Sequence, residues 1–90
     1  MNQLEKMREK INEIDKRMAE LFTERMVTVK RIAEYKKEHG LDIFDPQREQ
    51  EVVKRNSELI EDATLREYYV AFLRETMAVS KLYQKQLTEK

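Results

Sequence analysis

The sequence lacks cysteine and tryptophan altogether, and its 90 residues contain one proline, one glycine and one histidine. Without cysteine, the chain has no disulfide framework, no thiolate nucleophile and no cysteine-based metal cluster. A single histidine, His39, excludes a metal site made of several histidines and a Ser-His-Asp triad. We therefore predict neither a metal nor a covalent nucleophile. The scarcity of proline and glycine leaves long stretches without a helix breaker.

An excess of charge of either sign is also missing. Lys and Arg number 18, Asp and Glu number 18, and the net charge is zero. Such a chain has no general attraction to nucleic acid or to an anionic membrane, and its mixed charges suit solvated helix faces. No apolar run reaches the length of a membrane span, and the charged start MNQLEKMREK has no signal-peptide core. We therefore expect a soluble, cytoplasmic protein that binds neither nucleic acid nor membrane.

A stripe of apolar residues runs along the first part of the chain. It begins with Leu4, Met7, Ile11, Ile14, Met18 and Leu21. This spacing of three and four residues is typical of one helix face, and its strict continuation passes through positions 25, 28, 32 and 35. Lys36 and Lys37 suit the last turn of the helix, and Gly40 suits the left-handed residue just beyond it. We predict a helix over about residues 3–38.

Two further helices follow. In DPQRE, Asp45 suits the N-cap and Pro46 suits the first helical position, which predicts a helix over about 46–60. Thr64 and Glu67 fit a capping box, which predicts a third helix over about 65–87. No strand signal and no repeat is present. The sequence therefore predicts a single all-α domain over residues 1–90, with a long, a short and a medium helix.

The first helix is too long for a compact chain of this size. A helix of about 36 residues is about 54 Å long, whereas a compact 90-residue domain is only about 30 Å across. The simplest remedy is a partner chain that covers the apolar stripe, so we expect a symmetric homodimer. A bent or broken first helix is the alternative, although no proline or glycine marks a break.

Polar residues interrupt the apolar stripes. Arg25 interrupts the apolar stripe of the first helix. Ser80 and Gln84, which lie one turn apart on one face, interrupt the stripe of the third helix. A buried, unpaired arginine costs several kcal/mol, so Arg25 needs an anionic partner, either a protein carboxylate or a ligand. Ser80 and Gln84 are open to a second interpretation, because a lone polar residue in a core is usually satisfied locally or fixes the helix register.

The cations of the first helix predict a binding cavity. Arg25 and Lys36 are eleven residues apart, which places them within about 20° on the helix surface and about 16 Å apart along it. Arg48 and Glu49 lie in the first turn of the second helix. Arg8 lies about 42 Å from Lys36 along the first helix, so only an antiparallel partner chain could bring it to this cavity. Several cations, two neutral polar groups and one carboxylate suit a small dianion that carries a hydroxyl group.

Four elements, taken in order, carry a resemblance to a known family. They are MREKINEIDKRMAELFTER with Arg8 and Arg25, then Lys36, then DPQRE with Asp45, Arg48 and Glu49, and SKLYQ with Ser80 and Gln84. This set resembles the all-helical chorismate mutase family, the small type that forms an intertwined homodimeric helical bundle, over essentially the whole chain. The resemblance implies an isomerase that converts chorismate to prephenate by a Claisen rearrangement, in the synthesis of Phe and Tyr. It implies no cofactor and no covalent intermediate.

The resemblance also implies a role for each matching residue. Arg25, and Arg8 of the other chain, bind the two carboxylates of the chorismate dianion. Ser80 supports one of these carboxylates. Lys36 contacts a carboxylate and the ether oxygen, and Gln84 donates a hydrogen bond to the same oxygen. The resemblance thus explains Arg25 by an anionic partner that is the substrate.

The remaining residues surround the ring hydroxyl of the substrate in this family. Glu49 accepts a hydrogen bond from that hydroxyl, assisted by Arg48 and by the backbone near Asp45. A helix cap alone is the alternative explanation for Asp45, and an ion pair within the protein is the alternative explanation for Arg48.

Two other functions fit part of the pattern. An isochorismate pyruvate lyase on the same fold would use similar cations, although the Glu49 carboxylate suits chorismate better. A non-catalytic helical dimerisation module explains the long apolar stripe but not the aligned polar residues.

Overall fold

The computed structural model describes residues 2–89, and this part of the chain forms three helices and no strand. Helix α1 spans Gln3–Glu38, α2 spans Pro46–Ser57 and α3 spans Ala63–Thr88. The all-α class and the order of a long, a short and a medium helix are therefore confirmed. Within the same range no helix is long and apolar enough to cross a membrane. The cytoplasmic location stays a prediction.

Helix α1 runs for 36 residues without interruption, with the bounds that the sequence predicts. The side chain of Asn2 caps its first turn by accepting a hydrogen bond of 2.8 Å from the Glu5 amide. At its end the chain turns at Gly40, whose φ of 66° lies in the left-handed region that suits glycine. The Leu41 amide then donates to the Lys36 carbonyl at 2.8 Å, which closes the helix.

Helix α2 begins as predicted and ends earlier than predicted. The Asp45 carboxylate accepts a hydrogen bond of 3.0 Å from the Arg48 amide, and Pro46 occupies the first helical position. The predicted end at residue 60 is wrong by three residues. The Leu59 amide donates to the Asn56 carbonyl at 3.1 Å, and the next amide continues this tighter i to i−3 pattern. Residues 58–60 thus form a tight turn that leads into the next helix instead of a further α-helical turn.

Helix α3 begins at Ala63, and its N-cap is Asp62 instead of the predicted Thr64. The Asp62 carboxylate accepts hydrogen bonds from the Thr64 amide at 2.9 Å and from the Thr64 hydroxyl at 2.6 Å. The threonine hydroxyl is therefore engaged by the aspartate and is not the cap. These bonds, first the one from the hydroxyl and then the one from the amide, lower the pKa of the Asp62 carboxyl below its ordinary value of 3.8.

Helix α3 packs against both other helices, whereas α1 and α2 do not pack on each other. The apolar core is small and joins Val29 and Ala33 of α1 to Leu73 and Met77 of α3. It lies in the C-terminal third of α1. The first two thirds of that helix extend beyond it, and the chain measures 55 × 28 × 15 Å with a radius of gyration of 16.5 Å. A compact chain of 90 residues has a radius of gyration near 12 Å, so one chain alone is far from compact.

The buried face of α1 departs from the strict heptad that the sequence suggests. Thr28 and Tyr35 are exposed, whereas Val29 and Ala33 are buried and Lys36 is half-buried. A straight α-helix drifts by about 20° per heptad relative to a repeat of 3.5 residues. By the fourth heptad the extrapolated stripe has therefore rotated off the original face, which continues instead through positions 29, 33 and 36.

Candidate active site

A cavity of about 290 Å³ lies where the C-terminal half of α1, the first two turns of α2 and the C-terminal half of α3 meet. Its walls include apolar side chains from all three helices, and Ile43 of the segment between α1 and α2 also lines it. The structure brings seven of the eight predicted site residues to this cavity. They are Arg25, Lys36, Asp45, Arg48, Glu49, Ser80 and Gln84.

Arg25 is exposed in the single chain, so the burial that the sequence suggests is not observed there. It reaches the cavity from α1 and has no ion pair with any carboxylate of residues 2–89. One of its guanidinium nitrogens donates to the hydroxyl oxygen of Ser80. That hydroxyl in turn donates to the carbonyl of Thr76 at 2.9 Å, so Ser80 is satisfied within its own helix. A guanidinium carries five N–H donors, and most of those of Arg25 remain available to an anionic ligand.

Lys36 is half-buried, and its ammonium group donates to the backbone carbonyl of Ile43 at 3.0 Å. This bond ties the segment between α1 and α2 to the end of α1, and it orients the ammonium group toward the cavity that this residue lines. An ammonium group has three donors, so two remain for a ligand. Lys36 thus has a structural partner within the protein and still has ammonium donors available for an anionic ligand.

The first turn of α2 contributes three ionisable side chains. Asp45 caps the helix, so the alternative interpretation accounts for the orientation of its carboxylate, although the residue also lines the cavity. Arg48 forms no ion pair within residues 2–89, so the second alternative finds no partner there. Glu49 is half-buried and directs its carboxylate to a lysine of α3, Lys81.

Lys81 is a cavity residue that the sequence did not predict. Its ammonium nitrogen lies 3.1 Å from one oxygen of Glu49 and 3.3 Å from the other. It follows Met77 by four residues and precedes Gln84 by three, so helical spacing alone places it on the cavity face. That spacing was the available signal, but a charged residue next to Ser80 also fits a solvated helix flank.

Gln84 and Ser80 are the two buried polar side chains of the described residues, with 7% and 5% of their surface exposed. The prediction that both lie on one inward face of α3 is confirmed. The Gln84 side-chain oxygen is fully buried and has no hydrogen-bond partner within residues 2–89. Rotation of the amide by 180° exchanges its oxygen and nitrogen, so this group can present either an acceptor or a donor to a ligand.

Arg8 is the predicted residue that a single chain does not bring to the cavity. It lies in the exposed first part of α1, beside a shallow groove formed with Glu5, Glu9 and Asn12. Seventeen residues separate Arg8 from Arg25, which amounts to about 26 Å along the helix axis. No side chain spans that distance, so Arg8 takes part only if a second chain presents it.

The cavity as a whole carries an excess of positive charge. Four cationic side chains and two carboxylates line it, which leaves two positive charges in excess. Sites for small ligands typically occupy about 300–1,000 Å³, so this cavity lies at the small end of that range. Within residues 2–89 no three His, Cys, Asp or Glu side chains are grouped as a metal site would require. The arrangement suits a small, doubly negative organic ligand.

Comparisons with known proteins agree with this chemistry. A family model described as chorismate mutase type II matches residues 7–85. A protein of Methanocaldococcus jannaschii that bears the name chorismate mutase is 36% identical over 62 residues, which cover 69% of this chain. The match spans 63% of that relative, which is less than two thirds of its length. No solved structure matches the chain.

Proposed function

This chain belongs to the chorismate mutase type II family, and from that premise we propose that it catalyses the rearrangement of chorismate to prephenate. One observation carries the proposal. Seven residues predicted from the sequence line a single cavity with two positive charges in excess, and the substrate is a dianion of matching charge. The relative from Methanocaldococcus jannaschii supports the same activity by its name.

Substrate binding rests on the free cations. Arg25 binds one carboxylate, with the Ser80 hydroxyl already held beside its guanidinium. Lys36 contacts a carboxylate and the ether oxygen with the ammonium donors that the Ile43 carbonyl leaves free. Glu49 accepts a hydrogen bond from the ring hydroxyl. These contacts hold the folded, diaxial conformer, in which the two carbon atoms that become bonded lie close together.

The reaction breaks the ether C–O bond as a new C–C bond forms, and no proton needs to be transferred. Negative charge builds on the ether oxygen while the C–O bond lengthens. Lys36 and Gln84 stabilise that charge as hydrogen-bond donors held in place before the reaction begins. The buried oxygen of the Gln84 amide has no protein partner, and rotation of the amide by 180° allows its nitrogen to donate to the ether oxygen.

The complete site requires two chains. A second copy of the chain, packed antiparallel along α1, presents its Arg8 to the cavity as the ligand of the second carboxylate. Two observations support this homodimer: Arg8 lies far from the cavity of its own chain, and the apolar stripe beside it is exposed. A second identical chain is sufficient to explain both observations.

The activity is tested with purified protein and two variants. Chorismate loss and prephenate formation are measured for the wild type and for Arg25→Met, with Arg31→Met as a matched control from the exposed surface of α1. We expect conversion by the wild type and by Arg31→Met, and a loss of at least about 10²-fold for Arg25→Met. We also expect Arg25→Met to melt at an equal or higher temperature, because Ser80 keeps its bond to the Thr76 carbonyl.

Three outcomes would contradict this proposal. A wild type that leaves chorismate intact but releases pyruvate from isochorismate would be a lyase. A wild type inactive on both substrates as a folded dimer would favour a dimerisation module. An Arg25→Met variant that unfolds would assign Arg25 to the fold instead of the substrate.

A further inference from the structure

Lys81 and Glu49 form the one ion pair between two helices among residues 2–89. The ammonium group of Lys81 lies within 3.3 Å of both carboxylate oxygens of Glu49, so a single cation fixes the orientation of the whole carboxylate. The same ammonium lies 4.5 Å from the centre of the Phe44 ring. A cation placed between a carboxylate and an aromatic face is held from two sides.

This pair differs from an ordinary surface salt bridge. Its side chains are 35% and 26% exposed for Lys81 and Glu49, whereas the pair of Lys85 with Glu89 is 68% and 65% exposed. Exposed pairs contribute little because water screens them and because two long side chains must be ordered. Partial burial, contact with both oxygens and the ring of Phe44 reduce both of these penalties here.

Glu49 occupies a boundary position that makes its orientation important. It lines the candidate active site and also a second, neighbouring cavity of about 410 Å³. Two cations, Arg74 and Lys54, line that second cavity. Lys81 lines the candidate active site and is not among the residues of the second cavity. The ion pair with Lys81 thus holds the Glu49 carboxylate against a side chain that lines the candidate active site.

We propose that Lys81 is a positioning residue that holds Glu49 toward the substrate hydroxyl and offsets its charge beside the substrate dianion. This inference rests on the proposed mutase function. A carboxylate next to a dianion is repelled, and it remains in place only if a cation compensates it. Lys81 provides that cation from the cavity wall, where its ammonium is engaged by both oxygens of Glu49.

The test is a double-mutant cycle on the dimeric protein. The variants are Lys81→Met, Glu49→Gln and their combination, with Lys81→Arg as the conservative variant. Lys85→Met is the matched control, because it removes the same charge one turn further along α3 from a residue that does not line the cavity. Steady-state kinetics with chorismate are measured for all of them. Thermal melting and sedimentation confirm that each is a folded dimer.

We expect Lys81→Met to lower kcat/KM by about tenfold, mainly through KM, because the hydroxyl contact exists in the bound substrate as well as in the transition state. Lys81→Arg recovers most of that loss, since a guanidinium also pairs with both carboxylate oxygens. Lys85→Met matches the wild type. In the Glu49→Gln background, Lys81→Met has no further effect, because no carboxylate remains to be positioned.

Other outcomes overturn the inference, and they separate it from the proposed function. If the losses of Lys81→Met and Glu49→Gln multiply, Lys81 contacts the substrate directly and is not a positioning residue. If Lys81→Met matches the wild type, the pair is a bystander. In both cases an active wild type leaves the mutase function standing. A wild type that does not convert chorismate overturns the function and this inference together.

Discussion

Gln84 combines deep burial with an unsatisfied amide oxygen, and this combination is unfavourable unless a ligand completes it. Leaving a buried acceptor unpaired costs about 1–3 kcal/mol. An apolar residue at this position of α3 would have continued the stripe of Leu73 and Met77 without that penalty. The free energy lost in the empty protein is consistent with an amide kept for the reaction and not for the fold.

We predict that Gln84→Glu shifts the activity toward acid. An ionised carboxyl can only accept a hydrogen bond, and its charge opposes the negative charge that develops on the ether oxygen. The protonated form can donate again. The variant should therefore be about 10²–10³-fold slower than the wild type near neutrality and recover as the pH falls. The measurement is kcat/KM against pH, with dimer integrity checked at each pH.

Gln86→Glu, an exposed change of the same kind two residues further on, serves as the control for Gln84→Glu and should follow the wild type. A Gln84→Glu profile parallel to that of the wild type would remove Gln84 from the ether oxygen. The residue would then be a polar member of the core.

Some site residues were predictable from the sequence because they are polar at positions where the helical pattern is otherwise apolar. Arg25, Ser80 and Gln84 stand where the helical period requires apolar side chains, and the structure places all three at one cavity. Lys81 does not stand out in the sequence, because a lysine at the border between the apolar and the polar face of a helix is common. Its partner Glu49 lies 32 positions away on another helix, so only the packing of α2 against α3 reveals the pair.

Helix ends were predictable where one residue type has no competitor. Gly40 is the single glycine of the chain and takes the left-handed conformation, and Pro46 follows its capping aspartate directly. At the start of α3 the capping box of Thr64 and Glu67 supplied the predicted cap, whereas the structure uses Asp62, two residues earlier. Aspartate and threonine both cap well, so the choice depended on the turn that precedes the helix, which propensity does not describe.

We predict that Asp62 gives the protein a small pH-dependent stability. Its lowered pKa means that the folded chain favours the ionised carboxylate. The contribution is therefore fully present above the ordinary pKa of 3.8 and is lost as the pH falls through the lower folded value. Asp62→Asn keeps a capping acceptor but does not titrate. The melting temperature of the wild type minus that of Asp62→Asn should therefore decline below about pH 4.

The measurement is thermal unfolding from neutral to acid pH at low ionic strength, because Asp62 is exposed and salt screens its charge. Protein concentration is held constant, since the melting temperature of a dimer depends on it. Asp62→Ala should lower the melting temperature by a few degrees at neutral pH. A difference between the wild type and Asp62→Asn that is independent of pH would contradict the assignment of Asp62 as an ionised cap.

A single chain leaves much of its apolar surface in water. In the first part of α1, Leu4, Met7 and Ile11 are 50%, 59% and 54% exposed, and no residue of that part is buried. Burying the exposed half of such a side chain contributes on the order of 1 kcal/mol. Burial of the whole stripe in the proposed antiparallel pair of helices would contribute several kcal/mol. This length argument was available from the sequence, because it needs only a helix rise and a domain size.

The same pairing predicts that two inactive variants restore activity together. In a heterodimer of an Arg8→Ala chain and an Arg25→Ala chain, one cavity keeps its own Arg25 and receives Arg8 from the partner. The other cavity carries both lesions. In the isolated heterodimers one of the two cavities is intact, so about half of the wild-type number of sites remains. We expect about that fraction of wild-type kcat, with KM unchanged.

The measurement mixes differently tagged chains, exchanges their subunits by partial denaturation and isolates the doubly tagged dimers. The control is the same exchange between two tagged Arg25→Ala chains, which should stay inactive because no pairing restores Arg25. Heterodimers that remain inactive would show that Arg8 and Arg25 do not serve one cavity. A wild-type monomer of full activity would contradict the shared site as well, because Arg8 cannot reach the cavity of its own chain across about 26 Å of helix.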